Sequence, residues 1–452
     1  MRRTSEHGSP EATDCLKRRY LGLDARTYVR NALAYWSVDE VEEKCREMAS
    51  NGFADALTRL GAELRNGEFV EKDLRRSARC LKASMAWEVP WAENELLKTL
   101  MDLGTPGSYV EMVARAYAMA KDGDTEAAMI MGKAYSEGKG VTKDPEKAIE
   151  WMRMASSSGS DRGSRSYYES LWKSGTKASL DELKTKIGDS QSPEACIYRA
   201  KMLGHGRGLA KDIPAAIEEY KKASRGPQWM KEEFLDFLWS QRTEETLKEM
   251  LDIVEGPAEE GDPLSCLYLG KCYVYNRGKE KDLDKACELL AVAERGKVKG
   301  ATNELIDAFI KAGGEKNGAE AFRLASEYAE KGNIGSIGRL GRLKFLGIGT
   351  EKNLDEAYEL MKKAADADIG WAKQELFDII WEMDGNYDEM LSLVRKEAGS
   401  NQGSTFRLGK AIYYGKGVEK DEIAGAAMMR SACKNNGYWA KKLNKLLSYE
   451  AS

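Results

Sequence analysis

Hydrophobic and polar positions follow a helical period along most of the chain, and the pattern repeats at a long interval. The stretch "GKAYSEGKGVTKD", which begins at Gly132, places a polar, glycine-containing turn between two apolar helical stretches. Six copies occur, 68 to 71 residues apart, with their first residues at Gly61, Gly132, Ala200, Gly270, Gly341 and Gly409. Because this interval is about twice the length of a helical hairpin, each period predicts two hairpins.

The first hairpin of each period, the long hairpin, carries the glycine turn. An Asp or Asn lies 12 residues after the first position of every copy and is preceded by Lys. An Asx residue just before an amphipathic stretch is typical of a helix N-cap. The predicted caps are Asp73, Asp144, Asp212, Asp282, Asn353 and Asp421. Small residues 23 positions after the first predict close helix packing: Ser84, Ala155, Ala223, Ala293, Ala364 and Ala432.

The second hairpin, the short hairpin, lacks the glycine turn, as in "WAENELLKTLMDLGTPGSYVEMVARAYAMAKDGD" from Trp91. We expect capping boxes at the start of its second helix. The predicted pairs are Ser37 with Glu40, Ser108 with Glu111, Ser179 with Glu182, Asn317 with Glu320, and Asn386 with Glu389. The copy near Thr243 departs from this pattern.

The pattern predicts an all-α fold, an α/α right-handed superhelix (solenoid) of alternating long and short hairpins. Residues 24–51 are predicted to form an N-terminal hairpin cap, 52–436 the repeat solenoid, and 437–452 a C-terminal capping helix. Residues 1–23 carry no clear repeat and are expected to be partly disordered.

The long hairpins resemble the Sel1-like repeat, a relative of the tetratricopeptide repeat. Its pattern is an apolar-Gly-x-x-Tyr-x-x-Gly-x-Gly-Val turn followed by Lys-Asp and spaced alanines, and the match is closest at 128–159 and 405–437. Ala200, Phe69 and Asn276 depart from it at the first position and at turn glycines. The resemblance implies that the first helices line the concave side of the superhelix.

The glycine turn could instead be interpreted as a phosphate-binding loop. A P-loop connects a buried strand to a helix and concentrates its amides at one site. Here "GKGVTKD" lies between two helices and recurs six times, so a hairpin turn followed by an N-cap is the favoured interpretation.

Composition and charge narrow the classes of function. The 452 residues have a formal net charge of -4, so the chain has no overall excess of positive charge that would favour nucleic-acid binding. No nucleic-acid partner is predicted. No apolar run approaches 18 residues, which predicts no membrane insertion, and no signal peptide is recognised. The eight cysteines form no C-x-x-C pair, which favours buried thiols in a reducing, cytoplasmic compartment.

Catalytic chemistry finds little support in the sequence. The two histidines, His7 and His205, lie in the N-terminal segment and in a turn. Acid–base catalysis and zinc sites most often use histidine or clustered cysteines. We therefore predict a protein that is not an enzyme and has no cofactor or metal. No oligomeric state is predicted.

A stripe of basic and aromatic residues on the first helices of the long hairpins is the candidate binding site. At 100° per residue, these positions point away from the buried side. The stripe contains Arg59, Lys133, Tyr198, Lys201, Tyr268, Lys271, Tyr275, Arg339, Arg342, Arg407, Lys410 and Tyr414.

Two interpretations of the stripe stay open, and both could hold. It could bind a partner, or it could pair with acidic residues of the short hairpins. Those acidic residues are Glu95, Glu233, Asp236, Glu304, Asp307, Glu375 and Asp378. The tryptophans that recur in the short hairpins are expected mainly to pack between repeats.

The predicted function is a non-catalytic scaffold or adaptor that binds a protein or peptide on its concave face. One alternative is an accessory or regulatory subunit of a cell-envelope glycan or polymer biosynthesis or secretion system. The other is a hydrolase hidden in the array.

Overall fold

A computed structural model describes residues 25–50, 55–89, 91–157, 161–434 and 436–450, with the side chains of 445 and 447–450 excepted. The predicted N-terminal segment, 1–23, lies outside the described residues. Those residues form 25 α-helices and no strand, which confirms the all-α prediction.

The helices follow one another in antiparallel pairs joined by short connections. In chain order they are α1 (Ala25–Leu33), α2 (Val38–Ser50), α3 (Asp55–Asn66), α4 (Leu74–Met85), α5 (Ala92–Leu103), α6 (Pro106–Lys121), α7 (Thr125–Glu137), α8 (Pro145–Ser157), α9 (Asp161–Ser174), α10 (Lys177–Ile187), α11 (Pro193–His205), α12 (Ile213–Ala223), α13 (Gln228–Gln241), α14 (Glu244–Glu259), α15 (Pro263–Tyr275), α16 (Leu283–Arg295), α17 (Ala301–Ala312), α18 (Glu315–Glu330), α19 (Ile334–Leu346), α20 (Leu354–Asp366), α21 (Gly370–Met383), α22 (Tyr387–Arg395), α23 (Gln402–Tyr414), α24 (Glu422–Ala432) and α25 (Gly437–Glu450).

Long and short hairpins alternate as predicted. The long hairpins are α3–α4, α7–α8, α11–α12, α15–α16, α19–α20 and α23–α24, and the short ones lie before and between them. The hairpin α1–α2 occupies the predicted N-terminal cap, and α25 the predicted C-terminal one. In α25, the Trp439 ring stacks on Phe406 of α23 with centroids 4.8 Å apart.

The chain divides into two compact units, a division that the repeat pattern did not predict. Unit 1 extends to Met230 and unit 2 begins at Lys231, so the boundary falls inside α13. Each unit has its own buried apolar clusters. One in unit 1 includes Val29, Leu57 and Leu60, and one in unit 2 includes Phe377 and Ile380.

The turn of the long hairpins needs glycine for two reasons. Gly138 and Gly140 have φ angles of 75° and 73°, a left-handed conformation that favours glycine. Gly140 also lies against the preceding short hairpin, where an added Cβ would meet the Tyr109 carbonyl oxygen at 2.6 Å. Asn276 replaces the first turn glycine at φ 52°, which asparagine tolerates better than most residues.

All six predicted N-caps of the long hairpins are confirmed. Asp73, Asp212, Asp282, Asn353 and Asp421 each accept a hydrogen bond from the backbone three residues on. Asp144 accepts from the Lys147 amide at 3.0 Å. The small residues of the second helices are buried as expected, among them Ser84, Ala223 and Ala364.

The short hairpins confirm only part of the predicted capping. Ser37 with Glu40 and Asn386 with Glu389 cap as predicted. The pairs at Ser108, Ser179 and Asn317 are wrong, because these helices begin about one turn earlier. The N-caps of these helices are Thr105, Thr176 and Gly314. Helix α14, whose sequence departs from the predicted capping pattern, is capped by Thr243.

First helices of neighbouring hairpins form one continuous layer in each unit. In unit 1, α3 contacts α5, α5 contacts α7, α7 contacts α9, and α9 contacts α11. In unit 2, α15 contacts α17, and the contacts continue through α19 and α21 to α23. The exposed side of this layer is called the first-helix face below, and it carries the candidate stripe.

Candidate functional site

The twelve stripe residues lie on the first helices of the long hairpins, but their exposure differs widely. Tyr198, Lys201, Tyr268 and Arg407 are buried, with 2%, 9%, 3% and 6% of their surface exposed. Lys133, Tyr275 and Tyr414 are exposed. The remaining five are half-buried: Arg59, Lys271, Arg339, Arg342 and Lys410. The structure therefore places only part of the predicted stripe within reach of a partner.

The arginines of unit 2 pair with carboxylates on neighbouring first helices. Arg339 Nε donates to Asp307 Oδ1 at 3.0 Å, and Arg342 Nε donates to Glu375 Oε1 at 2.7 Å. Each guanidinium also contacts the same carboxylate through a second nitrogen. The interpretation of inter-repeat ion pairs is confirmed for these residues.

The innermost pair joins Arg407 to Asp378. Arg407 Nε and Nη2 donate to the two oxygens of Asp378 at 3.1 and 2.6 Å. Arg407 Nη1 also donates to Gln374 Oε1 at 3.1 Å. Because the Arg407 side chain is 7% exposed, this bidentate pair is largely shielded from water.

Three stripe tyrosines donate hydrogen bonds to carboxylates on the first helices of neighbouring short hairpins. Tyr198 donates to Glu169 at 2.9 Å, Tyr268 to Asp236 at 2.6 Å, and Tyr275 to Glu304 at 3.0 Å. Burial, followed by the hydrogen bond to Asp236, raises the pKa of Tyr268. The sequence predicts charge pairs between these helices, but tyrosine hydroxyls take the place of some of the cations.

The recurring tryptophans hold the stripe cations in place. The Arg59 guanidinium lies 4.1 Å from the Trp91 ring centroid, and that of Arg342 lies 4.6 Å from the Trp371 centroid. Lys410 Nζ lies 3.9 Å from the Trp381 centroid. These are cation–π distances. Burial, the largest cause, lowers the pKa of Lys410 to about 8.

The first-helix face of unit 1 opens into a cleft of about 440 Å³ centred on α7. Met101, Met129 and Ile130 contribute apolar surface to it, and Lys133 and Arg162 contribute charge. The short hairpin α5–α6 has Met101 at the position that Trp172, Trp239 and Trp381 occupy in other short hairpins. The cleft was not predicted from the sequence, although Met101 interrupts the series of tryptophans at this position.

A smaller cavity of about 110 Å³ lies on the first-helix face of unit 2. It adjoins Gly300, which stands where other short hairpins begin with Trp91, Trp229 and Trp371. Asp236, Lys271 and Glu304 line it. Both cavities therefore lie beside positions where the tryptophan is replaced.

The thiols of the described residues are poor nucleophiles. Cys45, Cys80 and Cys272 are buried and free, and burial raises the pKa of each to about 12. A protonated thiol reacts slowly. No group of three or more His, Cys, Asp or Glu side chains placed to hold a metal ion occurs among the described residues. Within the same residues, no helix has both the length and the apolar character to cross a membrane.

Comparisons with known proteins identify the repeated element. The sequence model of the Sel1 repeat matches six segments: 54–84, 125–160, 193–226, 263–294, 336–369 and 404–437. Each segment coincides with a long hairpin of the structure.

Three solved structures illustrate what the chain resembles. One is c5321, a protective antigen of uropathogenic Escherichia coli with an SLR fold. It is 20% identical with a TM-score of 0.40, and the match covers 97% of this chain and 90% of that chain. A Sel1 repeat protein from Oxalobacter formigenes is 18% identical with a TM-score of 0.32 and 89% of both chains covered. Yeast Tom70 is 14% identical with a TM-score of 0.34, covering 96% of this chain and 99% of that chain.

Proposed function

Because the chain belongs to the Sel1 repeat family, we propose that it is a scaffold that binds a protein or peptide on its first-helix face. Sel1 repeat proteins are generally protein-interaction scaffolds and are typically non-catalytic. The observation that carries the proposal is the ordered row of aromatic and basic side chains on that face.

Rigid aromatic and basic side chains suit this function. Binding costs less conformational entropy when the contacting side chains are already held in place. Tyr275 donates a hydrogen bond to Glu304, and its ring centroid lies 5.9 Å from that of Trp239, while the residue stays 38% exposed. Tyr414 packs edge-on against Trp381 and is 39% exposed. Tyrosine, tryptophan and arginine are the residues that most often dominate binding energy.

Some stripe residues form ion pairs within the protein, and others lie exposed on the first-helix face. The guanidinium groups of Arg339, Arg342 and Arg407 donate to carboxylates on neighbouring helices. Their main contribution is therefore to hold the first helices in place next to one another. Lys133, Tyr275 and Tyr414 expose enough surface to contact a partner. We include only these three in the proposed contact set.

Site-specific photo-crosslinking tests the proposal. A benzophenone amino acid placed at Lys133, Tyr275 or Tyr414 of the full chain should capture a partner protein in native cell extract. The control positions are Glu150 and Glu359, which are exposed on the second helices α8 and α20. We expect the same captured protein from first-helix positions, and at least tenfold less from the controls. Equal capture from both sets would contradict the proposal.

Charge reversal of the stripe would be a less specific test. Glutamate at Lys201 would put a carboxylate at a buried position that already lies near Glu169. Glutamate at Arg342 would break its contact with Glu375. Loss of partner capture in such a variant would not separate lost folding from lost binding, whereas the crosslinking positions leave these pairs intact.

A further inference from the structure

We propose that the unit 1 cleft is a docking site for a peptide segment of a partner that carries a large apolar side chain next to a carboxylate. The inference rests on the proposed function and narrows it to one part of the first-helix face. Its basis is the replacement of two tryptophans, an adaptable apolar surface, an exposed lysine without an acceptor among the described residues, and one buried N–H of an arginine that is otherwise paired with carboxylates.

The cleft exists because two tryptophan positions are replaced on either side of α7. On α5, Met101 stands at the position of Trp172, Trp239 and Trp381. On α9, Arg162 stands at the position of Trp91, Trp229, Trp371 and Trp439. In unit 2, the ring of Trp381 covers the first-helix lysine Lys410 at 3.9 Å. Lys133, the equivalent lysine of α7, has no such ring over it, and the space is open.

The apolar surface of the cleft is rich in methionine. Met101, Met129, Met152 and Ile130 border it, from α5, α7 and α8. Methionine is flexible and polarisable, so it adapts to apolar side chains of different shape. The volume of about 440 Å³ falls in the range of ligand pockets and has room for a leucine, methionine or phenylalanine side chain with its flanking backbone.

The carboxylates that line the cleft already have cationic partners. Asp102 lies 3.7 Å from Arg65, and Glu169 lies 3.2 Å from Lys173. Glu126 is paired with Arg162. Glu137 also has a partner, since Lys139 lies 2.7 Å away. A cationic partner would therefore have to displace an existing ion pair.

Two cationic groups in the cleft have unmet bonding capacity. Lys133 is exposed, and no ion pair, hydrogen bond or aromatic contact of its ammonium group occurs within the described parts of the chain. Arg65 Nε is buried and makes no hydrogen bond to any described residue. A buried donor without an acceptor is unusual in folded proteins. The cleft thus favours an occupant that brings an oxygen acceptor, and a carboxylate suits the Lys133 ammonium best.

A polyanion such as single-stranded nucleic acid fits the cleft less well. Its lining contains five basic and four acidic side chains, so the local charge is nearly balanced. Nucleic-acid affinity depends on the release of many counterions by an unbalanced positive surface. The apolar surface of Met101, Met129 and Ile130 also lacks the aromatic rings on which bases stack.

Peptide selection on the full chain tests the inference. A random dodecapeptide phage library is panned against the wild-type protein and, in parallel, against Met101→Trp, which fills the cleft with the residue found at three equivalent positions. We expect peptides enriched on the wild type alone to carry Leu, Met or Phe within three residues of Asp or Glu. Synthetic versions should bind the wild type and show at least a tenfold higher Kd for Met101→Trp by fluorescence anisotropy.

Lys133→Glu is a second variant that tests the cleft if Met101→Trp does not fold. Lys133 is exposed, so its reversal should leave the circular dichroism unchanged and raise the peptide Kd at least tenfold. The matched control is Lys186→Glu, at an exposed lysine of the second helix α10, which should leave the Kd within twofold.

Three results would overturn the cleft proposal. They are the absence of enrichment, enrichment of basic peptides, and stronger competition by a 20-nucleotide single strand than by the acidic peptide. Peptides that bind Met101→Trp as tightly as the wild type, but crosslink to the chain at Tyr275 or Tyr414, would contradict the cleft as the docking site. They would still support the scaffold function. Failure of first-helix crosslinking as well would refute the scaffold function itself.

Discussion

Replacing Gly425 with alanine is expected to destabilise the last long hairpin by about 2 kcal/mol, because helices α23 and α24 cross there with almost no space between their backbones. A Cβ at Gly425 would lie 2.6 Å from the Tyr413 nitrogen and 2.7 Å from the Gly409 carbonyl oxygen. Backbone atoms cannot rotate away as a side chain can. The two helices would have to separate, which would weaken the packing of Trp439 on Phe406.

The sign and size of the change in unfolding free energy show whether close helix packing or helix propensity dominates at Gly425. Alanine in place of glycine inside a helix normally stabilises by about 0.5–1 kcal/mol. Gly370→Ala is the matched control, because an added Cβ there meets nothing within 4 Å. Urea unfolding with limited proteolysis should show earlier cleavage of residues 402–450 in Gly425→Ala alone. Equal stability of the two variants would show that the helices are not this close.

Removing the carboxylate of Asp378 is expected to cost about 3 kcal/mol, since it leaves the buried guanidinium of Arg407 without its main partner. Arg407 is 6% exposed and would retain only amide and backbone acceptors, from Gln374 and Gly403. The double variant Asp378→Ala with Arg407→Met should recover much of the loss, because no buried charge remains.

An exposed pair provides the control for the Asp378 variant. Glu327 lies 2.7 Å from Lys331, but both side chains are about half exposed. Exposed ion pairs contribute about 0–1 kcal/mol, so Glu327→Ala should change stability little. The free energies of unfolding are compared by urea titration monitored by circular dichroism. If Asp378→Ala costs no more than Glu327→Ala, the pairing of Arg407 is not structural.

Local features of the fold could be predicted from the sequence because local chemistry determines them. The caps at Asp73 and Asp421 each depend on one side chain and the backbone amide three residues on. The alternation of long and short hairpins follows from the spacing of the glycine turns. The predicted cap of α6 was wrong because Thr105 and Ser108 can both cap, and Pro106 at the first helical position favours Thr105.

Features that depend on contacts between repeats could be predicted only in part. The helical phase placed Tyr198 and Tyr268 on the first-helix face, but neighbouring helices bury both hydroxyls against acidic residues. The division near Met230 also arises from long-range contacts and has no marker in the repeat pattern. The cleft had a signal, Met101 in a tryptophan column, but its meaning depended on knowing which side chains meet.

The central claim is that a partner docks on the first-helix face and leaves the second helices accessible. Hydrogen exchange of the full chain, measured with and without the protein captured by crosslinking, tests it most directly. The claim predicts slower exchange in the first helices α5, α7 and α9, with no change in the second helices α10 and α12. Slower exchange confined to α10 and α12, with α5, α7 and α9 unchanged, would contradict it.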